Sequence, residues 1–345
     1  MKKILVLFLI LLLSLPLTSC KANLQKFTDY SFNSFDTLTT IIGFETQREI
    51  FDANCTKIKE WLSEYHKLYD IYKSYKGVTN LYTLNRSQGK AVKVDNKIID
   101  LLLYSMELYL KTDGKLNVAM GSVLSIWHDY RDNGLENPEN ATLPEKSALQ
   151  EAALHINFDD VVIDSKAQTV LIKDKKLTLD VGAIAKGYAA QKIAKQMEAA
   201  GMTGYILNIG GNVNIIGNRP DGEKWSIGIE NPDKQNDNAY IEQLKLSNSM
   251  SLVTSGSYQR FYTVNGKNYH HIIDSATLYP AEYFASVSVL CEDSALADGL
   301  STALFCLPYE DGKKLLQGFN NVHALWVTAD GNILYSDDFK NYAVQ

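Results

Sequence analysis

The stretch that most constrains this chain is Asp180-Val181-Gly182-Ala183-Ile184-Ala185-Lys186-Gly187-Tyr188. Ahead of it Leu177, Leu179 and Val181 alternate as a half-buried strand does. Beyond Gly182, Ile184, Tyr188, Ile193 and Met197 recur at helical spacing in an Ala-rich segment that stops at Gly201. A strand that turns into a helix through one glycine gathers the unpaired N–H groups and the positive dipole end of the helix beside an acidic side chain. A phosphate finds donors at such a mouth, and Asp180 and Lys186 are placed to sort the rest of a nucleotide. The same residues also describe an ordinary strand-to-helix turn, because a pattern this short is weakly specific.

Composition narrows the choice. A chain of 345 residues, 46% hydrophobic and 21% charged, can bury a full core as one large domain or two intimate subdomains. A formal net charge of −6 argues against broad attraction to nucleic acid or anionic lipid, so a nucleotide needs a local site helped by a cation. Lys2 and Lys3 precede an apolar run, Ile4 to Leu13, which Ser14 and Pro16 interrupt before it reaches the length of a spanning helix. Leu17-Thr18-Ser19-Cys20 resembles the lipobox of bacterial lipoproteins. The expectation is a leader over 1–19, a lipidated Cys20 followed by a tether over 20–29, and a folded domain over 30–340. The protein is then exported and lipid-anchored to the bacterial cell membrane through Cys20, facing outside the cytoplasm; the alternative is a plain secretory signal with an incidental cysteine. Cys55, Cys291 and Cys306 lack ligand spacing and an even count, and read as small core residues rather than a disulfide framework or a zinc site.

Taken in order, Tyr30 to Phe44 reads as a strand or hairpin carrying Phe35-Asp36-Thr37. A helix from Glu49 buries Phe51, Cys55, Ile58, Leu62, Tyr65 and Tyr69, and runs into an aromatic loop, Tyr69 to Tyr75, that is either a core lid or a base-stacking platform. Asp95 caps a second helix that Gly114 stops. An apolar segment to Trp127 gives way to an exposed loop from Asp129 to Pro144, a short helix over Glu145 to His155, and strands at 161–163 and 169–172. Strands at Tyr205 to Ile209 and Val213 to Ile216 flank Gly210-Gly211, which suits either close approach to a ligand or a plain hairpin. Asn265-Gly266 and Asp330-Gly331 signal further hairpins, and Ser294 to Phe305 is helical. Helices early and antiparallel hairpins late give an α+β class, with mixed, mainly antiparallel sheets and flanking helices and no doubly wound parallel sheet.

Further stretches carry chemistry. Asp298 and Thr302 lie four apart, which on a helix puts a carboxylate and a hydroxyl on one face. Hard oxygen ligands suit magnesium or calcium; a capping Asp beside a self-bonded Thr is the plainer account. His270 and His271 point to opposite faces of a strand, so only one can serve a site. These residues sit within Thr254-Ser255-Gly256-Ser257-Tyr258-Gln259-Arg260, His270-His271-Ile272-Ile273-Asp274 and Ala297-Asp298-Gly299-Leu300-Ser301-Thr302-Ala303. Together with Phe35-Asp36-Thr37, Asp180 to Tyr188 and Asn208-Ile209-Gly210-Gly211-Asn212, this ordered set resembles the ApbE family, the FAD:protein FMN transferases, from about Phe35 to Tyr335.

The resemblance implies an ApbE-like, T-fold-like architecture and a Mg2+ site formed by Asp298, Thr302 and a main-chain oxygen near Ala183. It implies FAD as substrate, lined by Phe35, Tyr72, Val118, Ala119, Met120, Asp180, Lys186 and Ile272, with His271 as general base. The implied reaction is attack of a Ser or Thr hydroxyl of an exported or membrane-associated acceptor protein on the FMN-side phosphorus of FAD, with AMP leaving. Two alternatives keep parts of this: magnesium-dependent hydrolysis of FAD to FMN and AMP, and a flavin-holding lipoprotein without turnover. The chain departs from many relatives at Ser275, where Pro is usual, and at Phe35-Asp36, where Met-Gly is common.

Overall fold

The structure, a computed structural model, describes residues 24–344. The expected leader and Cys20 lie outside the described residues. In chain order the elements are β1 (Gln25–Ser34), β2 (Thr37–Glu45), α1 (Arg48–Tyr69), α2 (Leu81–Leu84), β3 (Val92–Lys93), α3 (Asn96–Lys111), α4 (Gly121–Glu136), α5 (Lys146–Ala152), β4 (Val161–Asp164), β5 (Thr169–Ile172) and α6 (Ala185–Ala199). There follow β6 (Tyr205–Ile209), β7 (Asn212–Ile216), β8 (Trp225–Glu230), β9 (Tyr240–Leu246), β10 (Ser251–Gly256), β11 (Phe261–Val264), β12 (Lys267–His270), β13 (Phe284–Cys291), α7 (Ser294–Phe305), α8 (Tyr309–Leu316), β14 (His323–Thr328) and β15 (Ile333–Tyr335).

Eight strands form the main sheet in the order β1-β2-β6-β7-β10-β13-β14-β15, and every neighbouring pair is antiparallel. Alternation sorts its two faces. Leu207, Ile209, Val253, Val287, Val289 and Trp326 point to the side covered by α1, α6 and α7. Ile206, Leu252, Leu290, Leu325 and Val327 point to the other side, where the β8–β9 hairpin covers them with Trp225, Ile227 and Leu244. The result is a mixed α+β fold in layers, as the hairpin signals require.

Local rules account for most elements. The apolar spacing of α1 is buried at Phe51, Cys55, Ile58, Leu62 and Tyr65. Asp95 caps α3 by accepting from the Lys97 N–H at 2.8 Å, and Gly114, at φ +75°, closes its other end with an N–H to the Tyr109 carbonyl at 2.8 Å. Cys55, Cys291 and Cys306 are buried free thiols. No helix of the described residues is long and apolar enough to cross a membrane.

Three expectations need correction. Residues 25–29, assigned to the tether, already belong to β1, because Phe27 packs on Phe51 with ring centroids 5.5 Å apart and ties the strand to α1. Asp129 to Glu136 continues α4 as helix rather than loop; its polar residues face solvent while Trp127 and Gly134 face inward. Leu177, Leu179 and Val181 are buried, but the segment makes no ladder. Its backbone bonds go to an irregular partner, from Asp180 N–H to Val118 O (2.8 Å) and from Gly121 N–H to Thr178 O (3.0 Å). The Asn85 amide takes the remaining pair, accepting from Leu179 N–H at 2.8 Å and donating to Leu179 O at 2.9 Å.

Candidate functional site

The start of α6 and the middle of α7 touch at Gly187. A Cβ there would sit 2.3 Å from Ser294 O and 2.4 Å from Asp298 Cβ, so only glycine allows the approach. The Gly187 N–H donates to Asp298 Oδ2 at 2.8 Å instead of to the Ala183 carbonyl, to which no backbone N–H among the described residues donates. Asp298 is 4% exposed, and burial raises its pKa; the Lys186 charge, the Gly187 N–H and the Asn212 amide oppose that rise. Thr302, one turn on, has its hydroxyl 3.5 Å from Ser255 Oγ, which pairs with Ser301 Oγ at 2.8 Å. Among the described residues no group of three or more His, Cys, Asp or Glu could hold a metal. A cation at this point would therefore draw on one carboxylate with hydroxyl and carbonyl oxygens, a donor set that fits magnesium.

The β11–β12 hairpin sets the histidines. His270 is buried and fully used: its Nε2–H donates to Ala281 O at 2.8 Å, its Nδ1 accepts the Ile272 N–H at 3.2 Å, and its ring lies edge-on to Phe305. Burial holds it below the ordinary imidazole range. His271 is different. Its Nδ1 faces the Arg260 carbonyl at 3.2 Å, and a carbonyl can only accept, so Nδ1 carries the proton and Nε2 keeps its lone pair. Burial first, then the charges of Arg260, His270 and Lys186, push the imidazole down to about 3. The charge of Lys186, which precedes Gly187 in the chain, acts on both His271 and Asp298. Ile272 is buried in the core beside α7, next in the chain to His271.

A third group comes from the N-terminal half. Phe35 and Asp36 form the β1–β2 turn with φ of 58° and 48°. Asp36 O accepts from Arg260 Nη2 at 3.4 Å, joining this turn to the histidine hairpin. The Gly210 N–H reaches Leu38 O at 3.0 Å, and a Cβ on Gly210 would lie 2.2 Å from Thr37 Oγ1. The Phe35 N–H donates to His66 Nδ1 (3.2 Å), so His66 Nε2–H donates to Tyr75 Oη (3.2 Å), and the Tyr75 hydroxyl donates to Asp70 Oδ2 (2.6 Å). Asp70 Oδ1 in turn accepts the Tyr72 and Lys73 N–H groups. Tyr72, 59% exposed, sets its hydroxyl 3.3 Å from His128 Nδ1, and His128 Nε2 lies 3.9 Å from Asp180 Oδ2. Burial lowers the His128 imidazole despite the Asp180 charge beside it. Asp180 Oδ1 accepts the Gly182 N–H at 2.8 Å, and Lys186 Nζ stands 3.5 Å from Gly182 O.

The fold therefore links Phe35, Tyr72, Asp180, Lys186, His271 and Asp298 through a continuous chain of contacts. Val118, Ala119 and Met120 join it by the backbone bond to Asp180, with their side chains buried. Sequence reasoning passed over His66, Asp70, Asn85 and His128, none of which sits in a short recognisable pattern. Ser275 bonds the Gly114 carbonyl at 3.4 Å, while Asp274 holds its own turn through the Ala276 N–H and pairs with Lys115 at 2.9 Å. A cleft of about 790 Å3 along α1, lined by Lys59, Lys67, Lys93 and Asp95 among others, includes none of these residues. Its charges are mixed and solvated, so the chemistry is placed at the linked site.

Comparisons with known proteins place the chain in a family. Residues 35–326 match the ApbE family. A Treponema pallidum protein named FAD:protein FMN transferase is 32% identical over 269 residues, 73% of this chain and 72% of its own. A Klebsiella pneumoniae protein of the same name is 29% identical, covering 77% of this chain and 83% of its own. The crystal structure of the ApbE protein from Thermotoga maritima superposes with a TM-score of 0.80 at 28% identity, over 93% of this chain and all of that one. With the family pattern spanning most of its length and the same architecture beneath it, this chain belongs to the ApbE family.

Proposed function

We propose that this chain is a FAD:protein FMN transferase that moves FMN from FAD to a Ser or Thr hydroxyl of an exported or membrane-associated acceptor protein, forming a phosphoester and releasing AMP. The observation that carries the reading is His271, neutral and tethered through Nδ1–H to Arg260 O so that Nε2 is free, in the field of the same Lys186 that acts on Asp298. Asp298, Thr302 and the Ala183 carbonyl are the groups that would hold magnesium, which when bound supplies positive charge against the pyrophosphate.

Asp180 and Lys186 orient the nucleotide at the mouth of α6, and Tyr72, fixed through Asp70 and His128, covers it. His271 Nε2 takes the proton of the acceptor hydroxyl as its oxygen bonds to the FMN-side phosphorus. The bond from that phosphorus to the bridging oxygen breaks, and AMP leaves with the electron pair. Positioning and charge carry most of such a transfer, and the base contributes roughly 10² to 10⁴ in rate. The lipobox-like Leu17 to Cys20 supports attachment of the enzyme to the membrane outside the cytoplasm.

The test mixes the full chain with FAD, magnesium and a candidate acceptor, and follows AMP release and acceptor mass. Transfer adds the mass of FMN to the acceptor as AMP appears, and His271→Ala slows it by roughly 10² to 10⁴ with FAD affinity little changed. AMP release without a gain in acceptor mass would instead assign hydrolysis of FAD. Absence of both products would sink the enzyme reading.

A further inference from the structure

Asn212 opens β7 directly after the Gly210-Gly211 turn and is 1% exposed. Its ladder neighbours are Ile209 on β6 and Val253 on β10, both buried and apolar. An amide in that row is costly unless both its ends are used. One end is: Nδ2 reaches Asp298 Oδ1 at 3.4 Å, and the reverse amide orientation would set oxygen against oxygen. The other end is not. Asn212 Oδ1 is buried and has no hydrogen-bond donor; Asn214, two residues on, has its Oδ1 met by the Ser251 hydroxyl at 3.0 Å and its Nδ2 unpartnered, but it does not touch Asp298.

The two Asp298 oxygens are thus held from different elements, Oδ2 by the Gly187 N–H of α6 and Oδ1 by the Asn212 amide of β7. A short contact at Oδ2 and a longer one at Oδ1 restrict rotation of the carboxylate and so bias the direction in which its remaining lone pairs point. We propose that Asn212 is a positioning residue of the cation site: its Nδ2 fixes Asp298 for magnesium, and its Oδ1 accepts from a water bound to the cation. This rests on the reading of the Asp298, Thr302 and Ala183 group given above. Outer-shell partners of this kind typically change metal affinity 10- to 100-fold when removed.

The test measures magnesium binding to the purified full chain by calorimetry, with magnesium chloride alone and again with saturating FAD, together with melting temperature with and without the cation. Asn212→Ala is expected to weaken magnesium about 10- to 100-fold while FAD binding without magnesium stays as in the wild type. Asn212→Asp keeps the size, removes the donor and sets two carboxylates face to face. It is expected to melt below the wild type without magnesium and to gain more from the cation than the wild type does. That pair of opposite changes carries the test should the alanine variant fail to fold. Wild-type magnesium affinity and wild-type response to the cation in the folded variants overturn the role of Asn212 alone. A wild-type chain that binds no magnesium with or without FAD overturns the cation site itself, and the role of Asn212 with it.

Discussion

Gly187→Ala tests the join between α6 and α7 on which the site depends. The added methyl would meet the Ser294 carbonyl oxygen at 2.3 Å and Asp298 Cβ at 2.4 Å, and the first of these is backbone that cannot swing aside. Restoring ordinary contact requires the helices to part by about 1 Å. That shift takes the Gly187 N–H out of reach of Asp298 Oδ2, now 2.8 Å away. Overpacking costs about 1 to 3 kcal/mol and loss of a hydrogen bond to a charged group about 1.5 to 3, while alanine gains about 1 as a helix former. The net expectation is a loss of about 1.5 to 5 kcal/mol, large against a total stability of roughly 5 to 15. Urea unfolding reads the loss, and magnesium titration of the folded fraction reads a weaker cation site. A Gly187→Ala protein as stable as the wild type or more so, as helix propensity alone would give, with an unchanged magnesium response, would refute the close approach and the hydrogen bond together.

The remaining expectations concern the histidines, the carboxylate and the anchor. His271 is pushed down to about 3, so its base form persists well below neutrality, and the acidic limb of kcat/KM attributable to it lies far below the ordinary imidazole range; a limb near pH 6.5 in folded enzyme contradicts the assigned environment. Because both His270 and His271 are lowered on folding, the unfolded chain binds more protons than the folded one between about pH 6.5 and about 3, and stability falls as pH drops through that window, measurable by urea midpoints. His270→Ala strands the Ala281 carbonyl and the Ile272 N–H and should cost about 2 kcal/mol or more in stability, with turnover per folded molecule reduced far less than in His271→Ala. Asp298→Ala should abolish magnesium-dependent turnover with the fold kept, and undiminished magnesium stimulation would remove it from the site. Cys20→Ser should release the protein from the membrane fraction, and continued retention there counts against a lipid anchor.

Much of this architecture is written locally, and what was not legible is non-local. Helix α1 follows from apolar spacing and α3 and α7 from spacing and aspartate caps, and Asn265-Gly266 makes its hairpin because both residues adopt positive φ, 49° and 79°. The segment before Asp180 alternates like a strand, yet its partners are the Val118–Gly121 backbone and the side chain of Asn85, 94 residues away from Leu179, which no periodicity announces. Helix α4 was hidden for the opposite reason, since its second half is polar and its inward contact is a glycine, Gly134, against the Tyr262 ring. The candidate site divides the same way. Gly187 and Gly210 are visible in sequence because a side chain at either would collide with Ser294 or Thr37, so contacts between distant segments leave a glycine behind in a short pattern. His66, Asp70 and His128 leave no such mark. They act through hydrogen bonds that several residue types could make, and only the folded chain shows that they connect Phe35 to Asp180. Sequence patterns therefore report the positions where the backbone tolerates one residue, while groups such as His66, Asp70 and His128 that orient those positions emerge from packing; Asn212 lies inside a short pattern, but its grip on Asp298 shows only in the fold.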